Sequence, residues 1–124
     1  MNILVLIASI LLGLAMVGAG TAKVRHQEPV TSTLDRLKVS RSLQRTIGFL
    51  EVLGGIGVAL GGVAITIGSP LGWLGVAAAI GLVLMMAGAL SWHAKERDTL
   101  KNSSGALILF VFSGAVAALQ ILTV

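Results

Sequence analysis

Glu51 is the acidic side chain that stands apart from every other charge in this chain. The run Thr46 to Ile67 is apolar apart from that one carboxylate. By helical rise, Glu51 sits roughly 7–8 Å in from the end of the run. A charge at such a depth costs several kcal/mol unless it is paired or kept neutral, and it marks a functional position by default. Lys23 closes the preceding apolar run, and His93 closes the following one. Arg45 lies six residues before Glu51, nearly two turns closer to the run's end. Lys23, Glu51 and His93 therefore come from three segments and share one membrane leaflet. An acid, a base and an imidazole so placed can lock a helix bundle as an ion-paired cluster. They can equally line a polar pocket that takes a quinone, a lipid headgroup or an anionic small molecule. Spacing alone leaves both readings open.

Other chemistries fit poorly. Cys is 0, so thiol redox and cysteine nucleophiles are excluded. Ser91 merely precedes Trp92-His93, with no base arranged to activate it. Haem ligation would need both His26 and His93, and His26 lies in a linker. A dedicated metal site built on His93 and Glu51 lacks a third and a fourth ligand. No metal site is expected, and the chain carries no catalytic set of its own.

The elements that must position these groups follow from composition. Hydrophobic residues make up 56% of the 124, charged residues only 11%, and mean hydropathy is +0.98. Soluble domains carry roughly 25% charged residues. Four apolar runs, 3–20, 46–67, 71–92 and 104–124, are each long enough to cross about 30 Å of hydrocarbon as a helix. None shows the alternation of a membrane β-strand. The first run could pass for a signal peptide ending at Gly20-Thr21-Ala22, but Met1-Asn2 supplies no basic n-region, and it is read as a retained helix. The expected fold is an all-α, single-domain integral membrane four-helix bundle over 1–124. Gly68-Ser69-Pro70 makes a tight hairpin between the second and third spans, with Pro70 suited to helix entry.

The long linker from Thr21 to Arg45 contains Pro29 and then Ser32 with Asp35 three residues on, the spacing of a capping box. Leu34 and Leu37 share one side of the helix this predicts, and Lys38, Arg41 and Arg45 another. The expectation is a short amphipathic helix on the membrane surface, with a solvated basic loop as the alternative. All nine Lys and Arg lie in the two longer linkers: six, including Arg36, in the first, and Lys95, Arg97 and Lys101 in the second. The positive-inside rule then puts both linkers in the cytoplasm, beside anionic headgroups, and both termini on the extracytoplasmic side. The basic residues lack interleaved aromatics, so no nucleic-acid partner is expected. Asn102-Ser103-Ser104 matches a glycosylation sequon but falls on the expected cytoplasmic face.

Helices associate in lipid through small residues. Gly54, Gly57 and Gly61 run down the second span, Gly81 and Gly88 mark the third and Gly114 the fourth. These are the expected packing positions, either within one bundle or against other membrane subunits or a second copy.

The ordered blocks Gly20-Thr21-Ala22-Lys23, Gly48-Phe49-Leu50-Glu51 with its Gly-rich continuation, and Leu84 to His93 make the chain similar to the DoxX-like family of small four-helix bacterial membrane proteins. Members of that family show a Gly-x-x-Lys, a Gly-x-x-Glu and a small-residue stretch ending in His in successive helices. The resemblance implies a bacterial plasma-membrane protein with Lys23, Glu51 and His93 as its polar positions. It also implies a link to membrane oxidoreductase complexes, as a non-catalytic accessory or assembly subunit or, alternatively, as a quinone- or small-molecule-binding subunit. The missing Cys puts independent sulfur chemistry in doubt.

Overall fold

Backbone groups in hydrocarbon must be satisfied within the segment, which restricts long apolar runs to helices. A computed structural model of the chain describes residues 2–28, 30–97 and 100–124, leaving aside the side chains of residues 2 and 100–103. Pro29 and Asp98, the side chain of Lys101, and those of Asn102 and Ser103 in the sequon lie outside the described residues. The elements are α1 (Asn2–Val24), α2 (Val30–Arg36), α3 (Arg41–Thr66), α4 (Gly72–Lys95) and α5 (Leu100–Thr123). Four of the five are long and apolar enough to cross a membrane, and no strand occurs among the described residues. The chain is an all-α membrane bundle.

The four long helices run up and down. α3 packs against α1 on one side and α4 on the other, and α5 completes the ring between α4 and α1. The bundle is apolar outside as well as inside. Leu14, Leu60, Leu84 and Leu122 are each more than 60% exposed, which only a lipid surround tolerates. The centre is filled by Leu12, Met16, Val58, Ala79, Leu82, Met86, Val116 and Ala117.

Close approach at glycine draws the helices together. Gly61 of α3 and Gly75 of α4 meet backbone to backbone, so that a Cβ added at Gly75 would lie 2.5 Å from the Gly61 Cα. On the opposite face of α3, Gly55 meets the Gly13 carbonyl of α1, and Gly48 meets Gly20. α3 thus carries two glycine faces. Gly54, Gly57 and Gly61 turn toward α4, while Gly48, Gly55 and Gly62, spaced by seven, turn toward α1. Gly81, Gly88 and Gly114 do not pack within the bundle. An added Cβ at any of them meets nothing within 4 Å, because they face away from the helix contacts.

Helix ends depart from the sequence expectation in an instructive way. α3 ends in a Schellman motif on Gly68, whose φ is +74°, with Ser69 N–H donating to the Ala64 carbonyl and Gly68 N–H to Ile65. α1 ends in the same motif on His26 and α2 on Lys38, both left-handed without being glycine. The Lys38 break separates α2 from α3, so Lys38, Arg41 and Arg45 do not form one helical stripe. Ser32 is not a helix cap either. It lies inside α2, and its hydroxyl donates to the Glu28 carboxylate. The cap belongs to Ser40, whose side chain accepts from the Leu43 N–H at 3.1 Å at the start of α3.

Gly61→Leu is expected to destabilise the bundle by about 3 kcal/mol, because the added side chain has backbone in its way. Gly114→Ala should change stability by less than about 1 kcal/mol. Thermal unfolding in detergent distinguishes the two; equal losses would show that the Gly61–Gly75 contact does not hold α3 to α4.

Candidate functional site

The two glycines that precede Lys23 and Glu51 by three residues set the geometry of the site. Gly20 and Gly48 let α1 and α3 touch: a Cβ at Gly48 would lie 2.5 Å from the Gly20 carbonyl oxygen and 2.7 Å from the Lys23 Cβ. Side chains on a helix lean toward its N-terminus. On α1 that direction carries Lys23 from the bundle's basic end into its interior. On antiparallel α3 it carries Glu51 back toward the basic end. The two lean toward each other, and Lys23 Nζ comes within 2.7 Å of Glu51 Oε1. Glu51 is fully buried and Lys23 only 17% exposed. A lysine near a membrane surface ordinarily extends outward to water. Here the ammonium is directed inward, to the carboxylate. The contact is an ion pair, and neither carboxylate oxygen has a hydrogen-bond partner among the described residues.

His93, in the last turn of α4, completes the set, for Lys23, Glu51 and His93 all border one cavity of about 540 Å³ at the basic end. The rest of the lining is mainly apolar. Ile47 of α3, Met85 and Met86 of α4, and Ala106 and Leu109 of α5 form the wall within the bundle. Val30 and Leu34 of α2, with Leu37 and Val39 beyond it, form the roof. Gly88 of α4 and Gly105 of α5 also line the cavity, and a Cβ on either would meet open space. These glycines widen the cavity rather than tighten a helix contact. Such a volume, mostly apolar with a few convergent polar groups, matches ordinary small-molecule sites.

The roof is held by polar contacts. Trp92 Nε1 donates to the Leu37 carbonyl at 2.6 Å. Arg41 grips Asp35 through two hydrogen bonds, Nε to Oδ1 at 3.0 Å and Nη2 to Oδ2 at 2.7 Å. Buried Gln44 donates to Asp35 Oδ1 at 2.8 Å and to the Val39 carbonyl at 2.9 Å. The Arg41 hydrogen bonds, reinforced by Gln44, hold the Asp35 carboxyl below the usual carboxylate range. The basic residues are accordingly engaged around the roof. Arg41 pairs with Asp35, Lys38 is 3.9 Å from Glu96, and Arg45 lies 3.4 Å from His26 Nε2. The exposed Lys38 pair contributes little. Lys95 places its ammonium 5.6 Å from the Trp92 ring centre.

A second buried polar group lies nearer the opposite end. Gln120 Nε2 donates to Ser9 Oγ at 2.9 Å and approaches the Val58 carbonyl at 3.3 Å, tying α5 to α1 and α3. Sequence reasoning passed over Ser9 and Gln120 because uncharged polar residues raise no alarm in an apolar run, and over Gln44 because it falls in the polar linker before one. The signal for Gln44 and Gln120 was their long amides, costly to bury without partners. Among the described residues no three His, Cys, Asp or Glu are grouped to hold a metal ion.

A family model described as the DoxX-like family matches residues 7–119. No curated protein and no solved structure matches the chain.

Lys23→Met should destabilise the bundle by about 3–5 kcal/mol, since it leaves a buried carboxylate without its counter-charge. The double variant Lys23→Met/Glu51→Met should recover more than half of that loss. Unfolding of the single and double variants in detergent tests this, and a double variant as unstable as the sum of its parts would refute the pairing.

Proposed function

The chain belongs to the DoxX-like family, and from that footing we propose that it is a non-catalytic binding subunit of a membrane oxidoreductase assembly. Its ligand is a lipophilic small molecule of the quinone type, received at Lys23, Glu51 and His93. The observation that carries this reading is the cavity of about 540 Å³ that all three residues border. A purely structural ion pair would need no such space beside it. The Lys23 and Glu51 charges offset each other, so the site favours an uncharged polar head over an anion. The methionine, alanine and leucine wall suits an apolar body, and methionine adapts to irregular ligand shapes.

The accessory role rests on the surface. Gly81 and Gly114 leave uncrowded patches on α4 and α5 where another membrane subunit or a second copy can approach closely. The host membrane on this reading is the bacterial plasma membrane, with the basic linkers in the cytoplasm next to anionic headgroups and both termini outside.

Two measurements test these proposals. Trp92 lines the cavity, so in a Trp73→Phe background its fluorescence reports occupancy. Decyl hydroquinone added to protein in nanodiscs should quench Trp92 saturably. Gly88→Leu, whose Cβ meets open space and whose side chain intrudes on the cavity, should weaken that binding at least tenfold while leaving the unfolding temperature within a few degrees. Glu51→Gln should weaken it similarly, with the bundle still folded because Lys23 can turn outward. Saturable quenching unchanged by both substitutions would place the ligand elsewhere and end the proposal. For orientation, a reporter that folds only in the cytoplasm should stay dark when fused after Val124; a bright fusion would invert the topology.

A further inference from the structure

The cavity has a chemical asymmetry that narrows what it accepts. Glu51 is fully buried, and its Oε1 lies 2.7 Å from Lys23 Nζ as an ion pair. Both carboxylate oxygens are buried with no hydrogen-bond partner among the described residues, and the ion pair is made through Oε1, so Oε2 is the oxygen farther from compensation. A carboxylate oxygen only accepts hydrogen bonds, and leaving it without a donor in an apolar surround is expensive. Glu51 borders the cavity, whose lining is mainly apolar; its donor side chains besides Lys23 are Thr33, Trp92 and His93, and none of them hydrogen-bonds Oε2. The nearest indole, Trp92, already spends its N–H on the Leu37 carbonyl.

We infer that the molecule bound beside Glu51 supplies the missing donor. It carries a neutral hydroxyl on an apolar body, so the site selects a hydroxyl-bearing, reduced headgroup over one that can only accept. For a quinone-type ligand this means the hydroquinone, whose O–H meets Oε2 and whose apolar tail lies along the α4 and α5 wall. The inference rests on the binding role proposed above and adds to it the polarity of the recognition. A site that merely wanted a polar head near Lys23 would favour acceptors, because an ammonium only donates. The free Oε2 reverses that preference. Removing one donor from a ligand in a desolvated site costs more than removing apolar atoms of the same size, since the protein's buried acceptor is then left bare.

The test compares a molecule with its O-methylated form, which loses both donors and gains two methyl groups. Decyl hydroquinone and its di-O-methyl ether are titrated against the protein in nanodiscs, with Trp92 fluorescence in the Trp73→Phe background as readout and native mass spectrometry as a second measure. The hydroquinone is expected to bind at least tenfold more tightly than the ether. In Glu51→Gln that ratio should fall toward one. Equal binding of both compounds by the unaltered site would overturn the donor inference and leave the binding role intact, with Oε2 satisfied by water. Binding of neither compound would overturn the binding role and this inference together.

Discussion

The Lys23–Glu51 pair is the constraint around which the basic end of this bundle is arranged. A carboxylate a turn and a half inside an apolar span is tolerable only with a cation against it, and the cation can reach only if α1 and α3 nearly touch. Gly20 and Gly48 supply that contact. Each precedes its charged residue by three positions, so glycine and charge fall on the same helical face. The two Gly-x-x-charge blocks are one device: a close crossing, with a charge placed on each strand of it. The pair holds one oxygen of Glu51 and leaves the other, and the cavity opens beside it.

Packing elsewhere follows from the solvent. Lipid tails solvate leucine as well as any protein core does, so large apolar side chains gain nothing by turning inward. Leu14, Leu60, Leu84 and Leu122 point out, while glycine allows the closest approaches between α1, α3 and α4, and Leu12, Met16, Leu82 and Met86 fill the centre that remains. Where glycine contacts nothing, as at Gly88 and Gly105, the result is space. The same residue type therefore both tightens the bundle at one level and opens it at another, and only its neighbours across the gap tell which.

The fold was legible from hydropathy and length, because crossing a bilayer demands long uninterrupted helices and nothing else satisfies the backbone. Lys23, Glu51 and His93 were legible as a group because topology alone sorts residues into leaflets. The α4-facing glycines of α3 were read from the Gly57–Gly61 spacing. The α1-facing set, Gly48, Gly55 and Gly62, was missed although its seven-residue repeat is the regular one for two helices that stay in contact. The short helix between the first two spans was legible and is α2, but its cap and the extent of its basic stripe were not, because the breaks fall on His26 and Lys38, whose left-handed backbone has no marker in residue type. Of the two placements open for Gly81, Gly88 and Gly114, packing within the bundle is not the one they take, and a one-dimensional pattern carries no information about which face meets a neighbour.

The order of the helices along the chain has a bearing on biogenesis. A lone acidic residue raises the cost of inserting a helix by roughly 2.5–3.5 kcal/mol on translocation scales. α1 leaves the ribosome before α3, so Lys23 is already at the membrane surface when Glu51 arrives. The touching glycines give α3 a docking partner at the moment of entry. The α1–α3 hairpin is thus the natural first assembly unit, and α4 and α5 join a template whose most costly residue has already been neutralised.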